Sequence, residues 1–233
     1  MHKKALIITG GSKGIGFASI QIFAENGWDC INISRQLCTH PGTINFNCDL
    51  RSEDWEQTID FPKLLAHYQQ IALVHNAACC MNDSMVNLES TQLRQTLELN
   101  IIAANRLNQQ VIPHLKDSSA ILYIGSTLSE KAVPNTASYT ISKHAIVGMM
   151  RATCQDLIGT GIHTGCICPG ITDTEMLRQR VNNDANILNQ LAQLQSMNRL
   201  IDPREIAEVI YFCANHPVIN GSVIHSHLGQ REN

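Results

Sequence analysis

The sequence predicts a doubly wound α/β fold, a parallel sheet with helices on both faces, in one domain spanning residues 1–233. Two observations carry this. Short apolar runs alternate with helical patterns along the whole chain, as in parallel sheets that are covered on both faces. A glycine-rich turn, Thr9-Gly10-Gly11-Ser12-Lys13-Gly14-Ile15-Gly16, follows the first apolar run and opens a helix. Hydrophobic residues make up 44% and charged residues 16%, with a formal net charge of -3. This balance favours a packed core over disorder and gives no electrostatic case for nucleic acid. No apolar run approaches the roughly 18 residues of a membrane span. The basic start Met1-His2-Lys3-Lys4 meets the glycine turn too soon to be a signal peptide, so a cytoplasmic protein is expected.

The elements follow in order. Ala5–Thr9 reads as a buried strand, and the helix after the turn runs to about Asn26, with Gly27 as its stop. Asp29–Ser34 and Thr43–Cys48 are strands two and three. Only a short loop with Pro41-Gly42 joins them, although a parallel crossover usually carries a helix. Glu53–Gln70 reads as helical, interrupted by Pro62, and Ile71–His75 is the fourth strand. Leu88–Leu115 reads as one long helix, Ala120–Ile124 as strand five, Tyr139–Ile158 as a helix and His163–Cys168 as strand six. Pro203–Ala214 is a helix and Ser222–His225 the last strand. Asn182–Asn198 is rich in Asn and Gln, with Ile187, Leu188, Leu191 and Leu194 at helical spacing.

In such a fold ligands sit beyond the carboxyl ends of the strands. The glycine turn lies there, where backbone N–H groups and a helix N-terminus attract pyrophosphate. Its G-x-x-x-G-x-G spacing differs from the common G-x-G-x-x-G dinucleotide pattern. Ser34-Arg35 ends the second strand. An acid there would select NAD by accepting from a ribose 2′-OH. Arg35, with Lys13 in the turn, suits a 2′-phosphate instead, so NADP(H) is the expected cofactor. Tyr139 and Lys143, four residues apart, share one helix face. A phenol titrates near about 10. An ammonium beside it is expected to lower that value, making a general acid/base, with the Ser126 hydroxyl to orient a substrate oxygen.

Nine cysteines without a C-x-x-C pair read as reduced, mostly buried thiols. Cys79-Cys80 follow the expected cofactor loop. His225 and His227 share a strand face but have no acidic or cysteine neighbour in sequence, and no metal site is expected.

These motifs together resemble the classical short-chain dehydrogenases/reductases, over nearly the whole chain. Thr9 to Gly16 looks like their T-G-x-x-x-G-x-G turn, contributing Gly10, Ser12, Lys13, Gly14, Ile15 and Gly16 to a Rossmann-type cofactor site. Asp49-Leu50 is similar to the pair that contacts adenine. His75-Asn76-Ala77-Ala78 resembles their N-N-A-G motif, departing from it at His75 and Ala78. Asn100 falls where the family has its catalytic asparagine, and Ser126, Tyr139 and Lys143 match S…Y-x-x-x-K. Pro169-Gly170, with Thr172 and Thr174, resembles the turn that holds the nicotinamide. Cys168 stands where many relatives have asparagine before this turn, and Ser226-His227-Leu228-Gly229 replaces the common V-D-G-G.

The resemblance implies an oxidoreductase reducing a carbonyl to an alcohol, or the reverse. Tyr139 exchanges the proton, Lys143 keeps the phenol acidic and binds the nicotinamide ribose, and Asn100 anchors a relay water. The most specific likeness is to 3-oxoacyl-[acyl-carrier-protein] reductases, through Asn198-Arg199-Leu200 and Gly161-Ile162. The segment His114-Leu115-Lys116-Asp117 is poor in the arginine that such enzymes present to an acidic carrier. A non-catalytic NADP-binding regulatory protein is the rival reading. Apolar residues on the helices Leu88–Leu115 and Tyr139–Ile158 (Ile101, Ile102, Leu107, Val111, Ile146, Val147, Met149, Met150) add the expectation of a homotetramer, or failing that a dimer. Residues 172–200 are expected to form a mobile substrate lid.

Overall fold

The computed structural model describes residues 3–230; Met1, His2 and residues 231–233, included in the single-domain reading, lie outside the described residues. In chain order the strands are β1 (Lys4–Thr9), β2 (Asp29–Ser34), β3 (Ile44–Asn47), β4 (Gln70–His75), β5 (Ala120–Ile124), β6 (His163–Pro169) and β7 (Ser222–Ser226). They pair in the order β3-β2-β1-β4-β5-β6-β7. Every pairing is parallel. The doubly wound sheet is therefore as expected.

The helices are α1 (Gly14–Glu25), α2 (Phe61–Leu65), α3 (Ser90–Leu97), α4 (Ala103–Val111), α5 (Ala137–Asp156), α6 (Glu175–Arg180), α7 (Ala185–Gln193) and α8 (Pro203–Asn215). Successive strand side chains point to opposite faces, and β1 shows the result. Leu6 and Ile8 pack with Ile20 and Phe23 of α1 and Ile206 and Ile210 of α8. Ala5 and Ile7 face the other layer, with Leu107 and Val111 of α4 and Ile146 and Met150 of α5. The strand order reverses between β1 and β4. The crevice at that switch point is where ligands bind in this architecture.

Three local expectations are corrected. Glu53–Gln70 is a 3₁₀ turn (Trp55–Thr58) followed by the one-and-a-half turns of α2. Arg106 of α4 takes the carbonyls of Ser52 and Glu53, so they are lost to a helix. Pro62 stands at the start of α2, behind an Asp60 cap, rather than interrupting a longer helix. Leu88–Leu115 is divided by a single π-helical turn at Glu98–Ile102. It closes as a 3₁₀ turn (Ile112–His114) that contains Pro113.

The third correction concerns the surface of α4 and α5. Leu107, Val111, Ile146, Val147 and Met150 are buried in the chain's own core. Ile101 and Met149 pack partly against it. Ile102 alone of the eight residues in that argument is exposed. The open face of α5 carries Ile141, Ala145, Gly148 and Ala152.

The short β2–β3 connection holds its parallel geometry through two amides. Asn45 Oδ1 accepts from the Cys38 backbone at 2.7 Å and from Asn32 Nδ2 at 2.8 Å. Asn32 Oδ1, buried in β2, accepts from Gly11 N at 2.8 Å. One pair of side chains thereby ties the crossover to the glycine turn.

Candidate active site

The glycine turn is shaped by close approach. Gly10 and Gly14 have φ of +70° and +56°, a region that side chains rarely occupy. A Cβ on Gly16 would lie 2.3 Å from the Gly10 carbonyl oxygen and 2.7 Å from Asn76 Nδ2. Thr9 Oγ1 accepts from the backbones of Asn76 and Ala77, both at 3.0 Å, and Asn76 Nδ2 returns bonds to the carbonyls of Thr9 and Gly10. The ends of β1 and β4 are thereby locked together, with Ala77 and Ala78 half-buried beside them. Lys13 at the α1 N-cap makes no capping bond, and the first turn has no acid. Its N–H groups are thus open to an anion, and a pyrophosphate fits this end of the crevice.

At the adenine end, the Ser34 hydroxyl is turned inward onto the Gln36 carbonyl at 2.6 Å, while Arg35 and Lys13 are exposed. Leu50 is buried in the core. Asp49 departs from expectation. Its carboxylate is held by Arg51, through Nη2 at 2.7 Å and Nε at 3.1 Å. This pair and the field of Arg35 keep its pKa below the usual carboxylate value.

Two residues beyond the end of β5, Ser126 caps a short 3₁₀ turn, Thr127–Ser129. Its Oγ accepts from Leu128 N, and its backbone N–H donates to Ser129 Oγ. Tyr139 lies in the first turn of α5. Its ring stays partly open, while its hydroxyl sits deep among Cys80, Ser126 and Cys168. Lys143, one turn on, is buried. Its Nζ donates to the Ile124 carbonyl at 2.6 Å and lies 5.4 Å from the centre of the Tyr139 ring.

The electrostatics correct the expected phenol acidity. Burial raises the Tyr139 pKa above its ordinary value, and the facing Ser126 hydroxyl pulls the other way. Burial also brings Lys143 down to about 8, opposed by the thiols of Cys166, Cys168, Cys80 and Cys79. The ammonium points to a carbonyl rather than to the phenol oxygen. In this state Tyr139 is a protonated phenol.

Asn100 sits in the π-helical turn. Its side chain closes a three-way contact rather than standing free. Oδ1 accepts from Cys79 N at 2.9 Å, and Nδ2 donates to Cys79 O at 3.0 Å and to Ser142 Oγ at 2.9 Å. It also lines a cavity of about 10 Å³ with Thr9, His75, Ile124 and Lys143.

Pro169-Gly170 ends β6 with Gly170 against His227, where a Cβ would meet that side chain at 2.7 Å. Thr172 Oγ1 donates to the Gly170 carbonyl. Thr174 caps α6 and lies over Gly14, 3.2 Å from where a Cβ there would be. The segment beyond is α6 and α7, and it has more fixed contacts than expected. Arg180 donates to Cys80 Sγ at 2.6 Å and to the Asn135 carbonyl at 2.9 Å, reaching across the mouth. Gln195, fully buried, donates to the carbonyls of Ile171 and Arg199. Within the stripe, Leu188, Leu191 and Leu194 are half-buried, whereas Ile187 is exposed.

Three contributors escaped the sequence reading. Asp83, buried, accepts from the backbone N–H and hydroxyl of Ser138. It thus caps the helix that carries Tyr139 from a distant loop, with its charge at the favourable end of the helix dipole. Asn32 steadies the glycine turn, and Arg180 spans the mouth. A sequence pattern shows none of these, because each partner is at least 21 residues away. The acidic neighbour absent from the H-x-H sequence is Glu130, whose carboxylate lies 3.3 Å from His225 Nε2. All nine cysteines are free, with Cys30, Cys38, Cys166, Cys168 and Cys213 buried.

The family model described as Enoyl-(Acyl carrier protein) reductase matches residues 10–230. The chain belongs to the short-chain dehydrogenase/reductase family and is one of its oxidoreductases. It is 29% identical to the 3-oxoacyl-[acyl-carrier-protein] reductase FabG of Chlamydia muridarum, over 95% of this chain and 94% of that one. A short chain dehydrogenase family protein from Francisella tularensis superimposes with a TM-score of 0.85 at 26% identity, covering 98% of both chains. The fold is also that of ElxO, whose structure has NADP bound (TM-score 0.86, 23% identity, 97% of this chain and 98% of that one).

Proposed function

We propose that the protein is an NADP(H)-dependent carbonyl reductase, with Tyr139 as acid/base. The observation that carries this is the convergence of Ser126, Tyr139 and Lys143 beside the β1–α1 turn, at the switch point of the sheet. NADPH, when bound, supplies the hydride. The residues that would hold it are the turn Gly10–Gly16, Ser34, Arg35, Asp49 and Leu50 at the adenosine end, Asn76 to Ala78, and Lys143, Pro169, Gly170, Thr172 and Thr174 at the nicotinamide end. Ser126 donates a hydrogen bond to the substrate carbonyl oxygen. Tyr139 gives that oxygen its proton as the carbon is reduced, and takes it back in the reverse direction. Lys143, held in place by the Ile124 carbonyl, supports the phenolate that forms. The test is NADPH oxidation across a panel of small ketones and diketones. No turnover with any of them, despite tight NADPH binding, would favour the non-catalytic reading.

The rim of the site narrows the substrate class. Met81, Met85 and Val133 are 44%, 73% and 47% exposed, on two loops joined by a bridge between Asp83 and Thr136. An apolar substituent on the carbonyl compound suits that rim. The second reading is a 3-oxoacyl-[acyl-carrier-protein] reductase, supported by the likeness to FabG.

NADP preference rests on Arg35, which follows Ser34, and on Lys13 in the glycine turn, both exposed. Arg35→Asp is expected to weaken NADPH binding by about 1.5–3 kcal/mol, as for a lost charge-assisted contact. Equal wild-type affinities for NADPH and NADH in a fluorescence titration would refute the preference.

The protein acts as a homotetramer, with a dimer as the fallback. The exposed Ile141, Ala145, Gly148 and Ala152 of α5 offer a face that another helix can approach closely. Light scattering at micromolar concentration should return an oligomer mass, and a monomer mass refutes the assembly.

Residues 172–200 act as the lid over the reacting carbon. Their anchors are Arg180 and Gln195, and the outer stretch between them is largely exposed. Hydrogen exchange should be fast across residues 181–195 without ligands and slow with NADPH and substrate. Slow exchange in both states rules the lid out.

A further inference from the structure

His75 stands where the family motif has asparagine, and the proton-transfer scheme above does not use it. It is 6% exposed and ends a buried chain of hydrogen bonds. Thr153 Oγ1 donates to the Met149 carbonyl at 3.0 Å. Tyr123 and Thr153 share a hydrogen bond of 2.9 Å, Asn108 Nδ2 donates to the Tyr123 hydroxyl at 2.8 Å, and Asn108 Oδ1 lies 2.8 Å from His75 Nε2.

One proton per hydroxyl sets the direction of the whole chain. Thr153 has given its proton to a carbonyl, so the Tyr123 hydroxyl must donate to Thr153. That hydroxyl can then only accept from Asn108, which turns the amide oxygen of Asn108 toward His75. His75 Nε2 therefore carries the ring proton, and Nδ1 is a bare acceptor. The ring stacks on Tyr123, with centres 4.8 Å apart. Burial holds its pKa down to about 4, so it stays neutral at physiological pH.

His75 Nδ1 has no hydrogen-bond partner among the described residues, and a buried acceptor left unpaired costs about 1–3 kcal/mol. His75 also lines the cavity of about 10 Å³ that Lys143, Asn100 and Thr9 share. That is room for one water molecule, and the polar groups around it supply the partners a buried water needs.

We propose that this cavity is a one-water site and that His75 is a positioning residue, accepting a hydrogen bond from the water through Nδ1 and so turning its oxygen toward Lys143. The water accepts from the ammonium while giving a proton to the imidazole. Only the water's oxygen lone pairs then face Lys143, which favours the charged lysine. This function for His75 rests on the reading of Lys143 as part of the proton-transfer machinery. The other titratable groups around Lys143 are Tyr139 on its own helix, Cys166 and Cys168 on β6, and Cys79 and Cys80 after β4.

Two substitutions separate this function from simple packing. His75→Asn keeps an acceptor near the Nδ1 position and loses the contact to Asn108. His75→Gln keeps a donor near the Nε2 position and loses the acceptor. In the full-length protein saturated with NADP⁺, the titration of Lys143 is followed by NMR of ¹³C-labelled lysine, assigned with Lys143→Arg. His75→Gln should lower the Lys143 midpoint by about half a unit or more, as expected for a weakened bond to a charged group. His75→Asn should leave it close to wild type. Equal shifts in both variants, or the opposite order, overturn the proposal.

The wild type supplies a test that needs no substitution. The ¹⁵N spectrum of the His75 ring should show Nε2 protonated and Nδ1 bare and hydrogen-bonded, and a high-resolution crystal structure should show one water within bonding distance of Nδ1. A protonated Nδ1 or an empty cavity overturns the proposal even if neither variant folds. None of these measurements needs turnover, so their failure is distinguishable from the absence of reductase activity.

Discussion

Tyr139→Phe is expected to lower kcat at least a hundredfold while NADPH binding stays close to wild type. The substitution keeps the ring and removes one hydroxyl, so packing in the first turn of α5 survives. General acid catalysis contributes about 10²–10⁴-fold, and neither Ser126 nor Lys143 is placed to take over. Ser126 is a far weaker acid, and the Lys143 ammonium is turned to the Ile124 carbonyl. Single-turnover kinetics with NADPH and an active ketone measure the loss directly. Retention of more than a tenth of wild-type activity would mean that the acid lies elsewhere, with the Cys80 thiol the next group to test.

Gly16→Ala should be the most damaging small change in the cofactor turn. Its added methyl would sit 2.3 Å from the Gly10 carbonyl oxygen and 2.9 Å from that carbonyl carbon. Both are backbone atoms, and Asn76 Nδ2, bonded to the carbonyls of Thr9 and Gly10, blocks the remaining side. Neither the turn nor α1 can yield without breaking the link between β1 and β4. Such overpacking costs about 3 kcal/mol, which for a domain of this size lowers Tm by about 6–12 °C. Calorimetry checks the stability, and a fluorescence titration checks the accompanying loss of NADPH affinity. A Tm within a degree of wild type would show that the turn is softer than its contacts imply.

The sheet was legible because each strand is a short apolar run, and runs such as Ala5–Thr9 and Ala120–Ile124 have no other stable fate than burial between two layers. The helices were less so. The pattern of Leu88–Leu115 is continuous, and only the backbone shows that Asn100 stands in a wider turn. Glu53–Gln70 has helical composition, but a guanidinium from α4 claims the carbonyls of Ser52 and Glu53 at its start. At the site, spacing was enough to bring Tyr139 and Lys143 onto one face of α5. It could not give the direction of the lysine, which a strand carbonyl decides, or the effect of burial on the phenol. Asp49 was read for its place in a motif, whereas Arg51, two residues on, holds its carboxylate. Asp83 and Arg180 act over long sequence separations, and local pattern is silent about them.

The π-helical turn at Glu98–Ile102 also links chain length to orientation. A wider turn in a helix is one residue more than a regular helix would need over the same rise. If the same residues formed a regular helix instead, the wide turn would be lost. Everything beyond it would then turn by about 100° around the axis, the angle that one residue occupies. Leu107 and Val111 would swing out of the core, and Asn108 would leave Tyr123 and His75. The surplus residue thus works as an indexing pin: it sets the rotational phase between the half of the helix that carries Asn100 and the half that is bolted to the sheet. Losing the wide turn while keeping its residues is therefore a change of angle, felt along all of α4, whereas a residue gained or lost in the β2–β3 loop would alter only a length.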